Sequence, residues 1–267
     1  MRCKTREPLV RCTLARAAFA ALLLAVLALG CAPQASAARD DAAAERLGWR
    51  LGPQAYTFRN YTLFEAIEKT QALGMKVIEI YPGQKLRPGS DTRSGLEMSA
   101  EEVEALKKKL ADAGVRPVCF GVIAIPSEEA AARRLFQFAR DLGIETITSE
   151  PNPEALEAID RLCGEYGVNV AIHNHPRPSR YWDPDVLLAA LKGRSRRIGA
   201  CADIGHWMRS GVNPLEALRK LEGRIISFHF KDLNEFGVRD AHDVPWGTGV
   251  GETRALLSEI RRQGFSG

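Results

Sequence analysis

The chain has no Cys-x-x-Cys pair, no uninterrupted apolar run of the ~20 residues that cross a bilayer, and no Gly-x-Gly-x-x-Gly after its first β-like segment. Each absence excludes something. Without paired cysteines there is no basis for a zinc-thiolate site. Of the six cysteines, Cys3, Cys12 and Cys31 lie near the N-terminus, while Cys119, Cys163 and Cys201 stand alone in apolar segments, as buried core thiols do. Without a long apolar run, no membrane span is expected. Without the glycine fingerprint, a doubly wound dinucleotide-binding sheet loses its main support.

The body of the chain also lacks charge of one sign. The formal net charge is +4, and residues 1–37 account for all of it, with Arg2, Lys4, Arg6, Arg11 and Arg16 against Glu7. The remaining 32 basic and 32 acidic residues cancel. Such a body has no excess positive field to attract nucleic acid or an anionic membrane.

What is present begins with a leader. A basic stretch through Arg16 is followed by 14 apolar residues, Ala17 to Gly30, and then by Ala35-Ser36-Ala37, small residues suited to signal peptidase. Residues 1–37 are therefore expected to be a secretory signal peptide, and the protein to be exported, periplasmic or extracellular. An uncleaved N-terminal anchor is one alternative. A lipoprotein anchored at Cys31, behind Ala28-Leu29-Gly30, is another.

Residues 38–48 are a polar lead-in, and residues 49–267 alternate short β-like runs with amphipathic helices. The runs are 53–58, 76–81, 116–122, 145–150, 168–173, 198–203 and 225–230, rich in Val, Ile and aromatics as buried parallel strands are. Thr62-x-x-Glu65 and Ser99-x-x-Glu102 read as capping boxes. Asn152-Pro153, Asp183-Pro184 and Asn213-Pro214 each set a cap residue before a proline at the first helical position. Helices end at Gly74, Gly114, Gly143 and Gly167. Links from helix to strand are short, whereas those from strand to helix reach the lengths of 82–98, 174–182 and 232–250. That asymmetry predicts an α/β fold of the (β/α)8 TIM barrel type, with its chemistry at the strand C-terminal ends. Seven strands are counted. After the last helix the residues Gln263 to Gly267 read as the approach to another strand, so the barrel is expected to lack its eighth strand within this sequence.

Polar residues gather at the ends of these runs. Glu79 lies in the second and Glu150 ends the fourth. His173-Asn174-His175 ends the fifth, Asp203-Ile204-Gly205-His206 the sixth, and His229-Phe230-Lys231-Asp232 the seventh. Of the five histidines only His242 lies elsewhere. A divalent ion needs about four to six N/O ligands converging from separate strands. A lone buried histidine is usually a core residue, but four at three adjacent strand ends point to a metal site. Imidazoles and carboxylates without cysteine favour Mn, Co, Zn or Mg.

Val77-Ile78-Glu79-Ile80, Ala171-Ile172-His173-Asn174-His175, Ala202-Asp203-Ile204-Gly205-His206, His229-Phe230-Lys231-Asp232 and Gly247-Thr248-Gly249-Val250-Gly251-Glu252 together resemble the xylose isomerase-like TIM barrel family of sugar phosphate isomerases and epimerases. The resemblance covers about residues 50–267. It implies one divalent metal ion. In the epimerases a Glu on strand five, the Asp of Asp-x-x-His, a His on strand seven and a Glu on strand eight hold it. Asp203 and His229 match. His173 stands where the epimerases have Glu, and the strand-eight Glu would lie beyond Gly267, so Glu150 on the neighbouring strand is the expected replacement carboxylate, with a surface or N-cap role as its alternative. The expected metal set is His173, Asp203, His229 and Glu150.

The resemblance further implies proton abstraction next to a carbonyl through an enediolate. Glu150 is the expected base, with its pKa raised toward neutrality by a dry site. His206 and Lys231 are the expected catalytic hydrogen-bond donors, although Lys231 has the alternative of a salt bridge to Asp232 or a neighbouring acid. Glu79, His175, Trp207 and Trp246 are the expected substrate contacts; the tryptophans, with Trp182, either stack on sugar rings or pack loops. The backbone of 247–251 either holds an anion or is a simple turn. The partner is a small-molecule carbohydrate, and export favours a free, oxidised or glycosidically linked sugar over a phosphorylated one. Three other readings stand beside a sugar isomerase or epimerase. One is a lyase or hydrolase of oxidised (keto) glycosides, and one a non-catalytic sugar-binding barrel. The third is a DNA-repair nuclease of the same fold, which the neutral body and the leader oppose. Homo-oligomerisation is left open.

Overall fold

The computed structural model describes residues 39–267. The expected signal peptide, its cleavage site and Cys31 lie outside the described residues. The unit from Asp41 to Gly267 is built on six parallel strands: β1 (Val77–Ile80), β2 (Arg116–Phe120), β3 (Thr146–Ser149), β4 (Asn169–His173), β5 (Ile198–Asp203) and β6 (Ile225–His229), paired in sequence order. Helices fill the intervals: α1 (Ala42–Arg46), α2 (Leu63–Ala72), α3 (Ala100–Ala113), α4 (Glu129–Asp141), α5 (Leu156–Tyr166), α6 (Pro184–Ala190), α7 (Ile204–Arg209), α8 (Pro214–Lys220) and α9 (Thr253–Arg262). A two-stranded antiparallel ribbon, β7 (Asp232–Leu233) with β8 (Asp243–Val244), follows β6. No helix among the described residues is long and apolar enough to cross a membrane.

Local chemistry explains most helix boundaries. Thr62 and Ser99 form complete capping boxes with Glu65 and Glu102. Asp183 and Asn213 accept backbone N–H bonds ahead of Pro184 and Pro214. Gly114 and Gly167 close α3 and α5 in the left-handed conformation. Asn152-Pro153 departs from the expected pattern. It starts a 3₁₀ turn, Pro153–Ala155, with no side-chain cap, and α5 begins only at Leu156.

Strand register sorts the side chains into two faces, because side chains alternate along a strand and paired residues of neighbouring strands share a face. Glu79 pairs with Cys119, Cys119 with Thr146, Thr148 with Ala171, His173 with Cys201, and Asp203 with His229. Those residues line the inner face. Ile78, Ile80, Phe120, Ile147, Val170, Ile172 and Ile198 alternate with them on the outer face. There they are at most 1% exposed, buried in the core beneath the helices. Each such side chain contributes roughly 1.5–3 kcal/mol by leaving water. The sheet curls far enough for Glu79 of β1 and His229 of β6, from its two ends, to meet at 2.7 Å. The result is an incomplete α/β barrel with an apolar outer layer and a polar inner one.

The expected strand at 53–58 does not form. Residues Ala55–Phe58 make a 3₁₀ turn, and only Gln54 bridges to Glu79 in parallel fashion. Pro53 can accept from Glu79 N (3.0 Å) but has no N–H to extend a ladder. Among the described residues the barrel sheet therefore has six strands, with one bridge at its β1 edge. The final residues approach the same region: Gly267 N donates to Gly48 O (2.9 Å), Arg50 N donates to Gly267 O (2.6 Å), and Phe265 packs edge-on against Phe228 of β6.

The glycine run at 247–251 holds an anion that belongs to the chain itself. Asp232, buried at the start of β7, accepts backbone N–H bonds from Gly247 (2.8 Å), Gly249 (3.0 Å) and Gly251 (2.8 Å). A Cβ on Gly249 would lie 2.2 Å from Leu233 O, so no larger residue fits there. Burial would raise the Asp232 pKa, but the amides of Gly251, Gly249, Gly247 and Leu233 outweigh it and hold the carboxyl below its ordinary range. The loop is thereby neither a free turn nor an open ligand site. Asp232→Ala should cost roughly 3 kcal/mol, since each buried amide left without an acceptor costs about 1–3 kcal/mol. The check is a lower urea midpoint with an unchanged slope. Because the folded pKa lies below the unfolded one, this stabilisation is complete above the unfolded value of about 3.9 and is lost as pH falls through the folded value. The gap between wild type and variant should close in acid.

Candidate functional site

Asp203 is the centre of the inner face. It ends β5, is fully buried, and caps α7 by accepting His206 N at 2.8 Å on Oδ1. Its other oxygen, Oδ2, faces His173 Nε2 at 3.4 Å, His229 Nδ1 at 3.6 Å, His206 Nε2 at 3.6 Å and Lys231 Nζ at 2.5 Å. Asn174 pins the Asp203 backbone reciprocally: its side-chain Nδ2 donates to Asp203 O (2.9 Å) and its Oδ1 accepts from Asp203 N (2.8 Å). Burial alone would raise the Asp203 pKa. The charge of Lys231 and the contacts with His173 and His229 hold it well below the carboxylate range. Gly205 leaves room for this arrangement, since a Cβ there would lie 2.8 Å from Lys231 Cδ. Lys231 thus pairs with Asp203 and not with Asp232, whose oxygens are taken by the glycine loop.

Two histidines are each held at both nitrogens. His229 offers Nδ1 to Asp203 and places Nε2 2.7 Å from Glu79 Oε2. Glu79 is in turn 3.4 Å from Gln54 Nε2, which also donates to Gly121 O at 3.0 Å. His173 offers Nε2 to Asp203 and Nδ1 to Glu150 Oε1 at 3.4 Å. Burial acts to lower the His229 pKa, but Cys201, Glu79 and Asp203 raise it well above the usual imidazole value.

His173, Asp203 and His229 each present a ligand atom within 4.8 Å of the others, and His173, His175 and His206 form a second such group. Donors on a tetrahedral ion with bonds of about 2.0–2.1 Å lie about 3.3 Å apart. The separations of 3.4 and 3.6 Å around Asp203 match that spacing and exceed good hydrogen bonds. The second group fits less well. Burial pushes the His206 pKa down to about 3. Its Nδ1 lies 3.3 Å from the Arg209 guanidinium, which leaves the proton of the neutral ring on Nε2.

Other expected site residues fall differently. Glu150 lies behind His173 and is in neither group of converging donors. It accepts from His175 N (3.2 Å) and Ser179 Oγ (3.0 Å) and bonds His175 Nδ1 closely. Burial would raise its pKa, but His173, His175 and Ser179 push it far below the carboxylate range, so the expectation of a raised carboxyl is corrected. Glu79 is engaged by His229 and Gln54 and so turns toward protein partners. Trp207 is fully buried in α7 and cannot stack on a sugar, because α7 begins directly at Asp203 and turns its ring into the core. Trp246 is exposed, with Nε1 donating to Phe230 O at 3.2 Å and its ring edge-on to Phe230. The Trp182 ring is covered by the Arg177 guanidinium at 4.1 Å. Asn174, Ser179, Gln54 and Arg209 were given no role from sequence. Asn174 alone carried a signal, standing between the two histidines of its motif.

Comparison with known proteins agrees with this architecture. The model of the family described as xylose isomerase-like TIM barrel matches residues 67–267. An uncharacterised protein from Parabacteroides distasonis is similar at 38% identity and a TM-score of 0.67, over 82% of this chain and 88% of that one. A D-tagatose 3-epimerase-like protein shares the fold at 20% identity and a TM-score of 0.64, over 81% and 88%. An IOLI protein with a bound zinc atom does so at 19% identity and a TM-score of 0.61, over 81% and 87%. No curated protein matches. With its polar inner face, its curled parallel sheet and a family match over most of its length, the chain belongs to the xylose isomerase-like TIM barrel family.

Proposed function

We propose that this chain is a sugar isomerase or epimerase that works with one divalent metal ion held by His173, Asp203 and His229. The observation that supports this most is that both imidazoles stand between Asp203 and an outer carboxylate, closely so for His229 and Glu79. Each turns one nitrogen toward Asp203 and the other toward a carboxylate, Glu150 for His173 and Glu79 for His229. Outer carboxylates of this kind orient metal-binding histidines and strengthen them as ligands. The zinc of the IOLI protein and the name of the epimerase-like neighbour accord with the reading. When bound, the ion supplies Lewis-acid polarisation of a carbonyl and offsets the charge that develops as the adjacent carbon loses its proton.

The chain's own groups move the proton. Glu150 is held ionised too firmly to accept it efficiently. It can instead act through His175, whose Nδ1 it binds, leaving Nε2 of that half-exposed ring as the free acceptor at the mouth. His206, with its proton on Nε2, and Lys231 donate hydrogen bonds to substrate oxygens beside Asp203. Trp246, exposed on the loop after β6, offers a ring face to a sugar. In this reading the leader over 1–37 exports the enzyme, and its substrate is a free or glycosidically linked sugar.

The deciding experiment incubates the protein, loaded in turn with Mn, Co, Zn and Mg, with ketoses and keto-glycosides in D2O. Deuterium incorporation next to the carbonyl, with no group lost from the sugar, is expected. Release of an aglycone would move the assignment to elimination, and neither result with any metal would refute it. Glu79→Gln should weaken metal binding by about 10–100-fold in competition with a chromophoric chelator. His175→Ala should lower kcat by about 10²–10⁴-fold while metal content stays at the wild-type level.

A further inference from the structure

The imidazoles at the mouth differ in what stands on their outer side. Glu150 Oε1 faces Nδ1 of His173 at 3.4 Å and bonds Nδ1 of His175 closely, and Glu79 Oε2 faces Nε2 of His229 at 2.7 Å. A carboxylate accepts, so in each neutral ring the outer nitrogen carries the proton and the other nitrogen keeps its lone pair. Such a lone pair can bind a metal ion or take up a proton. His206 is built the other way round. Its Nδ1 faces Arg209 Nη1 at 3.3 Å. A guanidinium has only donors and keeps its charge in a protein. The nitrogen that faces it has to accept, so the proton of His206 lies on Nε2, 3.6 Å from Asp203 Oδ2.

Arg209 is itself held in place. It lies three residues beyond His206 in α7, which sets the two side chains on one face of the helix. Its Nε and Nη2 both donate to Ala241 O, at 3.0 and 2.8 Å, and Nη2 also reaches Asp243 Oδ1 at 2.7 Å. Gly237 N donates to Met208 O at 2.9 Å, which fastens the loop between β7 and β8 to α7 at a second point. Gly205 leaves space for the guanidinium as it does for Lys231, since a Cβ there would lie 3.4 Å from Arg209 Nη1. With its donors turned to Ala241, Asp243 and His206, the guanidinium acts on the site through His206. Asp243 opens β8, and the exposed Trp246 follows three residues later on the same loop.

We infer that Arg209 is a positioning residue that fixes His206 as the N–H donor of the site, directed to a substrate oxygen, and excludes it from the metal. Charge that develops on an oxygen is stabilised by a donor already in place, whereas a lone pair in that position would repel it. The same polarity explains why His173, His175 and His206, close enough to share an ion, lack one of the three lone pairs that would be needed. The inference deepens the reading of this site as that of a sugar isomerase or epimerase. It rests on that reading for the substrate oxygen, while the tautomer is a property of the chain alone.

The test is long-range proton–nitrogen correlation NMR of the full chain carrying isotopically labelled histidine, near neutral pH and without metal. The His206 signals are assigned by their loss in His206→Gln. Nδ1 should appear unprotonated and Nε2 protonated. In Arg209→Met, which removes the donor, the Nδ1 signal should move downfield toward that of a free acceptor nitrogen. His206→Gln and Arg209→Met should bind zinc as the wild type does in competition with a chromophoric chelator. Arg209→Met should lower kcat about 10–100-fold with KM little changed. A protonated Nδ1 in the wild type, an Nδ1 signal unmoved in Arg209→Met, or a loss of zinc affinity of about tenfold in His206→Gln would each overturn the inference. The wild-type spectrum decides the tautomer by itself, so a protein that binds no zinc and turns over no sugar would remove the enzymatic reading and leave that result standing.

Discussion

A single buried carboxylate organises the mouth of this barrel. Asp203 has no contact with water, yet it stays ionised because Lys231 and three imidazoles surround it and Asn174 pins its backbone. An isolated charge there would be prohibitively unfavourable. Its partners must therefore come together whenever the chain folds, and they arrive from β4, β5, β6 and the residues just beyond them. Removing any one partner leaves charge uncompensated, so the geometry of the site and the stability of the strand ends are one problem.

The same constraint explains why the two faces of the sheet differ so sharply. The outer face is aliphatic and aromatic and is sealed under helices. The inner face carries Glu79, Cys119, Thr148, His173, Cys201, Asp203 and His229, small or polar groups that leave room for one another. The charged and imidazole groups of this face are paired, although the buried Thr148 hydroxyl has no partner, and the pairs run in chains: Gln54 to Glu79 to His229 to Asp203, and Ser179 to Glu150 to His173 to Asp203. Asp232 shows the same principle one residue beyond Lys231. It closes the glycine loop onto the chain and keeps its own charge away from the mouth.

Much of this was legible in advance. Six of the seven expected strands lie where Val, Ile and aromatic runs placed them, and the capping boxes at Thr62 and Ser99 formed as their spacing demanded. The convergence of His173, Asp203 and His229 followed from each ending a strand. Other features were not legible, for reasons of contact. Pro53 silenced the ladder of the first expected strand. Trp207 looked like a loop residue because nothing local announced that α7 starts at once after Asp203. The Gly247–Gly251 run showed that amides would be displayed, but not that Asp232, fifteen residues before Gly247, would occupy them.

The amino-acid sequence by itself determined the order of strands and helices, the polar strand ends and the neutral charge of the body, because periodicity, capping and composition are local or additive properties. Only the tertiary structure decided the pairing of charges. Whether Lys231 meets Asp203 or Asp232, and whether Glu150 stands before or behind His173, depends on how far the sheet curls and how its strands are staggered. Those quantities arise from the packing of all the strands together. The protonation of each group follows from its neighbours in space, which no stretch of chain specifies alone.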